Sequence, residues 1–227
     1  MVNPTATSVV TELKSPTPIP IPVPVVETND SLWSALTTDT GCAVLVYNTQ
    51  GRILSANSAA QKLLGISGTG SMRGKSLADC VPAPIAEERL AYAQKVLQSA
   101  SPIIMDGMLN GRMTRATLRA MPDDAGTDRI LETIRPIAAT EPKPEGVAYF
   151  RAKMDDEGVI GKLTAREREV LIHIGQGLST AAIAAALGRS TKTVEWHRVS
   201  LGTKLQITNR VQLARIALRA GLTGLDS

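Results

Sequence analysis

Between Thr164 and Gly221, helix-start and helix-stop residues follow one another so closely that the segment has room only for a bundle of short helices. Thr164-Ala165-Arg166-Glu167 has the spacing of a capping box, in which the hydroxyl accepts from the N3 amide while Glu167 returns to the cap amide. The helix it starts runs to about Gln176, with Leu163, Val170, Leu171 and Ile174 on its apolar side, and Gly177 lets the chain turn out. Ser179 starts a second helix, rich in alanine around Ile183 and Leu187, and Gly188 closes it. Ser190 starts a third, from about Thr191 to Leu205. Asn209, with Gln212 three residues on as a second capping pair, starts a fourth that ends at Gly221. Helices joined by tight Gly turns in this way form the helix-turn-helix arrangement.

The third helix carries the chemistry of the segment. Val194, His197, Leu201 and Leu205 recur at helical spacing and define one inward stripe. Lys192, Glu195, Trp196, Val199 and Thr203 fall on the other faces and are free for an outside partner. Aromatic residues make up only 3% of the chain, with two tryptophans, so Trp196 on an outward face asks for a partner; stacking on the first helix is the plain alternative. The fourth helix offers Val211, Leu213, Ile216, Ala217 and Ala220, more apolar surface than a small three-helix core uses. Part of it covers the first helix and part is expected to meet a second copy of the protein.

Charge is placed unevenly. From residue 160 onward ten basic side chains (Lys162, Arg166, Arg168, Arg189, Lys192, Arg198, Lys204, Arg210, Arg215, Arg219) stand against four acids (Glu167, Glu169, Glu195, Asp226), in a chain whose net charge is +4. Residues 1–159 therefore hold fifteen basic and seventeen acidic side chains, and a polyanionic partner belongs to the last third of the chain.

The rest is organised differently. Pro16, Pro18, Pro20, Pro22 and Pro24 alternate in a stretch rich in Thr and Val, and missing donors stop helix or sheet from propagating, so residues 1–30 read as an extended, disordered tail. Residues 31–153 read as a mixed unit. Leu32, Trp33 and Leu36 mark a short amphipathic helix. A buried strand at 43–47 and a strand at 52–57 flank the turn Asn48-Thr49-Gln50-Gly51, and a short helix at 58–64 stops at Gly65. A longer helix after Pro82 and Pro84 shows Ile85, Leu90, Ala93, Val96 and Leu97 as its apolar face. Strands at 103–108, 112–120, 129–136 and 146–152, with a turn at 122–126, complete an antiparallel sheet. Tyr47, Tyr92, Cys42 and Cys80 read as core side chains, two cysteines being too few for a disulfide framework or zinc site. A linker at 154–161, with the acidic break Asp155-Asp156-Glu157-Gly158, leads to the helical domain at 162–222.

The run from Val44 to Ala60, with a strand, a Gly turn, a second strand ending in Ala56-Asn57 and a small helix, resembles a PAS sensory domain, a likeness that covers about 110 residues. Leu163-Thr164-Ala165-Arg166-Glu167-Arg168-Glu169-Val170-Leu171, Gly177-Leu178-Ser179, Ile183-Ala184, Ser190, Thr193-Val194-Glu195-Trp196-His197-Arg198, Lys204-Leu205 and Asn209-Arg210 together resemble the four-helix LuxR-type domain. That resemblance implies that the third helix lies in the major groove, with Glu195, Trp196 and Val199 at base-reading positions. It implies phosphate contacts near Thr193, His197, Arg198, Lys204 and the amide of Arg210, with Lys192 and Thr203 on the same surface. Glu195 stands where many relatives have Lys; an acid accepts from cytosine N4, which shifts the preferred site without abolishing binding. For His197, satisfying a backbone group on the inward stripe is an equal alternative.

The fold class expected is α+β, a PAS-like antiparallel sheet with helices followed by a small all-α four-helix helix-turn-helix domain. The function expected is a one-component, sequence-specific transcription regulator that binds double-stranded DNA as a homodimer. RNA polymerase is a further candidate partner, and the PAS-like unit is expected to receive a small-molecule or protein signal. No cofactor is required for the DNA contact. Both histidines, His173 and His197, lie outside the PAS-like unit, so a His-ligated haem cannot be built there. No Cys sits in a flavin-photosensor segment, and no receiver-type acidic pair follows the first strand. No apolar run approaches the ~20 residues of a membrane span and no secretory leader is read at the N-terminus, so the protein is expected to stay in the cytoplasm. No Ser/His/Asp grouping, phosphate-cradling Gly loop or metal-ligand spacing suggests an enzyme. A sigma-factor promoter-binding domain opens with similar residues but lacks the fourth helix. A module whose last helices only dimerise differs in that its association would not fall with salt.

Overall fold

The computed structural model describes residues 29–38, 40–66, 71–121, 128–138 and 140–223. The Pro-rich stretch up to residue 28 and the turn expected at 122–126 lie outside the described residues. The first unit runs α1 (Asn29–Thr37), β1 (Ala43–Asn48), β2 (Ile53–Ala56), α2 (Ser58–Leu63), a 3-10 turn (Leu77–Asp79), α3 (Ala83–Ser99), β3 (Ile103–Leu109), β4 (Arg112–Ala120), β5 (Arg129–Pro136) and β6 (Ala148–Arg151). The strands form one sheet in the order β2-β1-β5-β4-β3-β6.

Local chemistry explains the start of this unit. The Asn48 side chain accepts from the Gln50 and Arg52 amides, and Gly51 takes the positive φ of +79° that closes the hairpin. Asn57 uses its whole carboxamide: the oxygen accepts from Ala60, capping α2, and from Val44 on β1, while the nitrogen donates to the carbonyls of Thr37 and Cys42. One side chain thus ties α1, β1 and α2 together.

Period-2 alternation puts Leu45, Tyr47, Ala116, Leu118, Ile130 and Ile134 on one face of the sheet, and α3 covers it with Ile85, Ala86, Tyr92, Ala93 and Val96. The middle of this face is charged. Arg89 of α3 is ion-paired with Glu132 of β5, both buried, and burial pulls the Arg89 guanidinium below its usual range. Leu90 and Leu97, expected on the helix's apolar face, lie at its partly buried margins. Tyr47 and Tyr92 are core side chains as expected, whereas Cys42 and Cys80 are only half-buried.

The sheet departs from the antiparallel expectation at one edge, where β6 pairs parallel with β3. The chain leaves β5 and crosses the face opposite α3 before joining the far edge, so it arrives running in the β3 direction. Arg115 of β4 holds this crossing: its guanidinium donates to Asp106 at 2.7 and 2.9 Å, to Glu141 at 3.1 Å and to the Pro142 carbonyl at 3.0 Å. The Tyr149 hydroxyl donates to the same Asp106.

The segment expected as a linker continues along β3. Ala152 and Asp156 donate to the carbonyls of Asp106 and Met108, the Asp155 carboxylate accepts from the Met108 amide, and Gly111 donates to the Asp156 carbonyl. A 3-10 turn (Gly158–Lys162) then leads into α4 (Ala165–Gly175), α5 (Thr180–Leu187), α6 (Thr191–Leu205) and α7 (Arg210–Arg219). Their core is built from Val170, Leu171, Ile174, Ile183, Val194, Leu201 and Leu213, and it includes Ile160 of the turn and Met108 of β3. The Glu157 carboxylate accepts from both terminal nitrogens of Arg168 at 2.7 Å, a bidentate pair across the same junction.

Candidate nucleic-acid interface

Four local caps set the helices that position the candidate surface. Thr164 and Glu167 complete the expected capping box of α4, Ser179 accepts from Ala182 at the start of α5, and Ser190 accepts from Thr193 at the start of α6. Gly188 leaves α5 in the left-handed conformation, φ +60°, so the α5 to α6 turn is tight. Asn209 caps α7 by accepting from Val211, but Gln212 makes no return bond, so the second capping pair is not formed.

α6 is sealed on one side and open on the other. Val194, Leu201 and Leu205 are buried as expected, and so is Gly202, where an added Cβ would lie 2.6 Å from the Ile207 carbonyl oxygen. Trp196 is 78% exposed and Val199 65% exposed, so neither stacks on α4. Lys192 and Thr203 are also exposed. His197, placed on the inward stripe by its spacing, is instead half-buried beside a shallow recess of about 420 Å³ that it lines with Ser190, Lys192, Thr193 and Trp196. A second recess of about 350 Å³ runs along Arg198, Val199, Thr203 and Ile207.

Three of the expected polar side chains are already bonded within the protein. Glu195 accepts from Arg198 Nε at 2.7 Å and from the Thr180 hydroxyl of α5 at 3.4 Å. This is an exposed pair, worth about 0.2–1 kcal/mol, so an outside partner can displace it. Lys204 donates to Glu167 Oε2 at 2.7 Å. The Arg210 guanidinium is bonded to the Leu178 carbonyl, while its amide is the first of α7 and the Asn209 cap bond goes to Val211 instead.

Glu167 is the hub that sequence spacing identified only as a cap. Its carboxylate is buried and also accepts from Ser200 at 2.7 Å and from the Thr164 amide at 2.8 Å. Burial alone would raise its pKa, but the Lys204, Ser200 and Thr164 donors outweigh that and bring it down to about 2. The ionised carboxylate therefore anchors α6 on α4.

The surface is thus carried by a helix pair joined by a tight turn, with an exposed tryptophan on the second helix and a fourth helix behind. Residues 161–217 match the family model of bacterial regulatory proteins of the luxR family, and residues 37–142 match that of the PAS fold. The chain is a PAS fold followed by a luxR-family domain. The transcriptional regulatory protein UhpA of Escherichia coli K12 is 34% identical over 119 residues, covering 51% of this chain and 55% of that protein. The transcriptional regulatory protein FixJ of Bradyrhizobium diazoefficiens is 35% identical over 100 residues, covering 44% and 46%. The chain thus spans about half the length of the curated relatives it matches. A solved structure of the Vibrio cholerae VqmA dimer without target DNA aligns over 86% of this chain and 88% of that one, with 22% identity and a TM-score of 0.42. The luxR-family match begins within the 3-10 turn at 158–162, and the PAS match ends in the crossing between β5 and β6.

Among the described residues no helix is long and apolar enough to cross a membrane, and no group of three or more His, Cys, Asp and Glu side chains could hold a metal ion.

Proposed function

We propose that the chain is a one-component transcription regulator in which α6 reads duplex DNA in the major groove and the PAS fold supplies the control. The observation that carries this reading is the exposure of Trp196 and Val199 on a helix whose other side is buried through Val194, Leu201 and Leu205. Large apolar side chains on a polar helix face match thymine methyl groups, and Glu195 can accept from cytosine N4 once it leaves Arg198. Lys192, Thr193, His197, Arg198 and Thr203, with the first amide of α7 at Arg210, surround them and suit phosphate contact. Lys204 contributes through Glu167, by holding α6 at its angle.

The proposal includes a homodimer, because Val211 of α7 is 65% exposed on the side of the helix not used by the core, and two recognition helices then address a two-fold site. It places the chain in the cytoplasm with DNA and RNA polymerase, assigns no enzymatic step, and gives the PAS fold a small-molecule or protein signal. Selection from a random duplex pool by the purified chain tests it. A defined, salt-sensitive consensus is the expected result, and recovery of the unselected pool in dilute buffer would sink the reading.

A further inference from the structure

The junction between the β3 to β4 hairpin and α7 gathers positive charge from both sides. Arg112 opens β4, while Arg215 and Arg219 lie on the last turns of α7. Arg112 and Arg219 line a cavity of about 220 Å³ together with Asn110, Val159, Ile160 and Ile216. Arginines elsewhere at this junction are paired: Arg168 with Glu157, Arg151 with Asp155, and Arg115 with Asp106 and Glu141. Arg112, Arg215 and Arg219 have no carboxylate partner among the described residues.

The acids in the adjoining turn are committed to other groups. Asp156 accepts from the Asn110 and Gly158 amides, and Glu157 takes Arg168. Burial, and then repulsion from Arg112 and Arg215, holds the Arg219 guanidinium below its usual range. Like charges brought together across a domain junction cost free energy unless a counter-charge sits between them.

We propose that this cavity binds a small phosphate-class oxyanion, bridged between Arg112 of the PAS fold and Arg219 of the luxR-family domain. The planar guanidinium fork matches two oxygens of such an anion, and Arg112 and Arg219 supply one fork from each of two elements lining the same recess. At about 220 Å³ this recess is smaller than the roughly 300–1,000 Å³ of sites for drug-sized ligands, which suits a small inorganic anion. The Arg112 and Arg219 contacts exist together only when the two domains are docked. By linkage the anion therefore stabilises the docked arrangement, which couples the sensor to α7. This inference does not depend on the DNA reading.

The test is thermal unfolding of the full chain in chloride buffer, with inorganic phosphate or pyrophosphate added at matched ionic strength. The expected result is a Tm rise of roughly 5 °C or more at about a hundredfold excess over Kd. The rise should vanish in both Arg112→Gln and Arg219→Gln and persist in Arg73→Gln, an exposed arginine away from the junction. Each junction variant removes a like-charge neighbour, so its anion-free Tm should equal or exceed the parent's, which shows that it folds. No rise in the parent, a rise undiminished in both junction variants, or loss in only one of them would overturn the bridge. A second arm separates a free anion from the DNA backbone. Arg112→Gln should leave the salt slope of duplex binding unchanged, and a slope smaller by about one counterion would place a DNA phosphate here and overturn the proposal.

Discussion

Gly202 decides how closely the C-terminal end of α6 can lie against the loop that follows. A methyl group there would sit 2.6 Å from the Ile207 carbonyl oxygen, which is backbone and cannot swing aside. Gly202→Ala should therefore lower the unfolding free energy by about 1–3 kcal/mol despite its gain in helix propensity, read as a reduced urea midpoint. Trp196→Ala makes the opposite test. The side chain is exposed, so stability should stay within about 0.5 kcal/mol while the selected DNA sequences change; an identical consensus would remove Trp196 from the reading surface. Glu167 carries a pH signature. Its folded pKa of about 2 lies below the ordinary value of 4.5, so it stabilises the fold fully above pH 4.5, and that contribution is lost as pH falls toward 2. Glu167→Gln should flatten the acid limb of the stability curve in that window, measured by urea unfolding at a series of pH values.

At the scale of elements, the helices of the luxR-family domain were legible because each begins and ends by local rules. Thr164, Ser179, Ser190 and Asn209 bond to amides two or three residues away, and Gly188 turns at its own position. The edge strand β6 was legible as a strand but not in its direction, since the direction depends on the crossing between 137 and 147 and on the Arg115 bonds to Glu141 and Pro142. Arg89 was missed for a related reason. A charged residue on an amphipathic helix reads as solvent-facing, and its ion-pair partner Glu132 lies 43 residues later on β5, out of reach of any local pattern. The segment after β6 yields a further test. An added Cβ at Gly107 would lie 2.7 Å from the Ala152 Cβ, so Gly107→Ala should lift that segment from β3. Faster hydrogen exchange at the Ala152 and Asp156 amides, with Leu118 and Ile134 still protected, is the expected pattern.

For the whole molecule, Met108 is the side chain that makes two units share one core. It belongs to β3 yet packs in the cluster with Ile160 and the luxR-family helices. Met108→Ala should cost about 2 kcal/mol or more and loosen the junction, so that calorimetry resolves two transitions in place of one. Retention of a single transition with unchanged midpoint would show that the Arg168 pair with Glu157 suffices to couple the domains. Helix ends, hairpin turn, strand alternation and the polar face of α6 were set by the sequence alone, because each follows from interactions between residues a few positions apart. The tertiary structure decided the parallel β6, the buried Arg89 and Glu132 pair, the inward turn of Lys204 toward Glu167, and the arginines facing one another across the junction. Each of these joins residues far apart in the chain, and whether a charge is paired, buried or repelled depends on what the fold brings beside it.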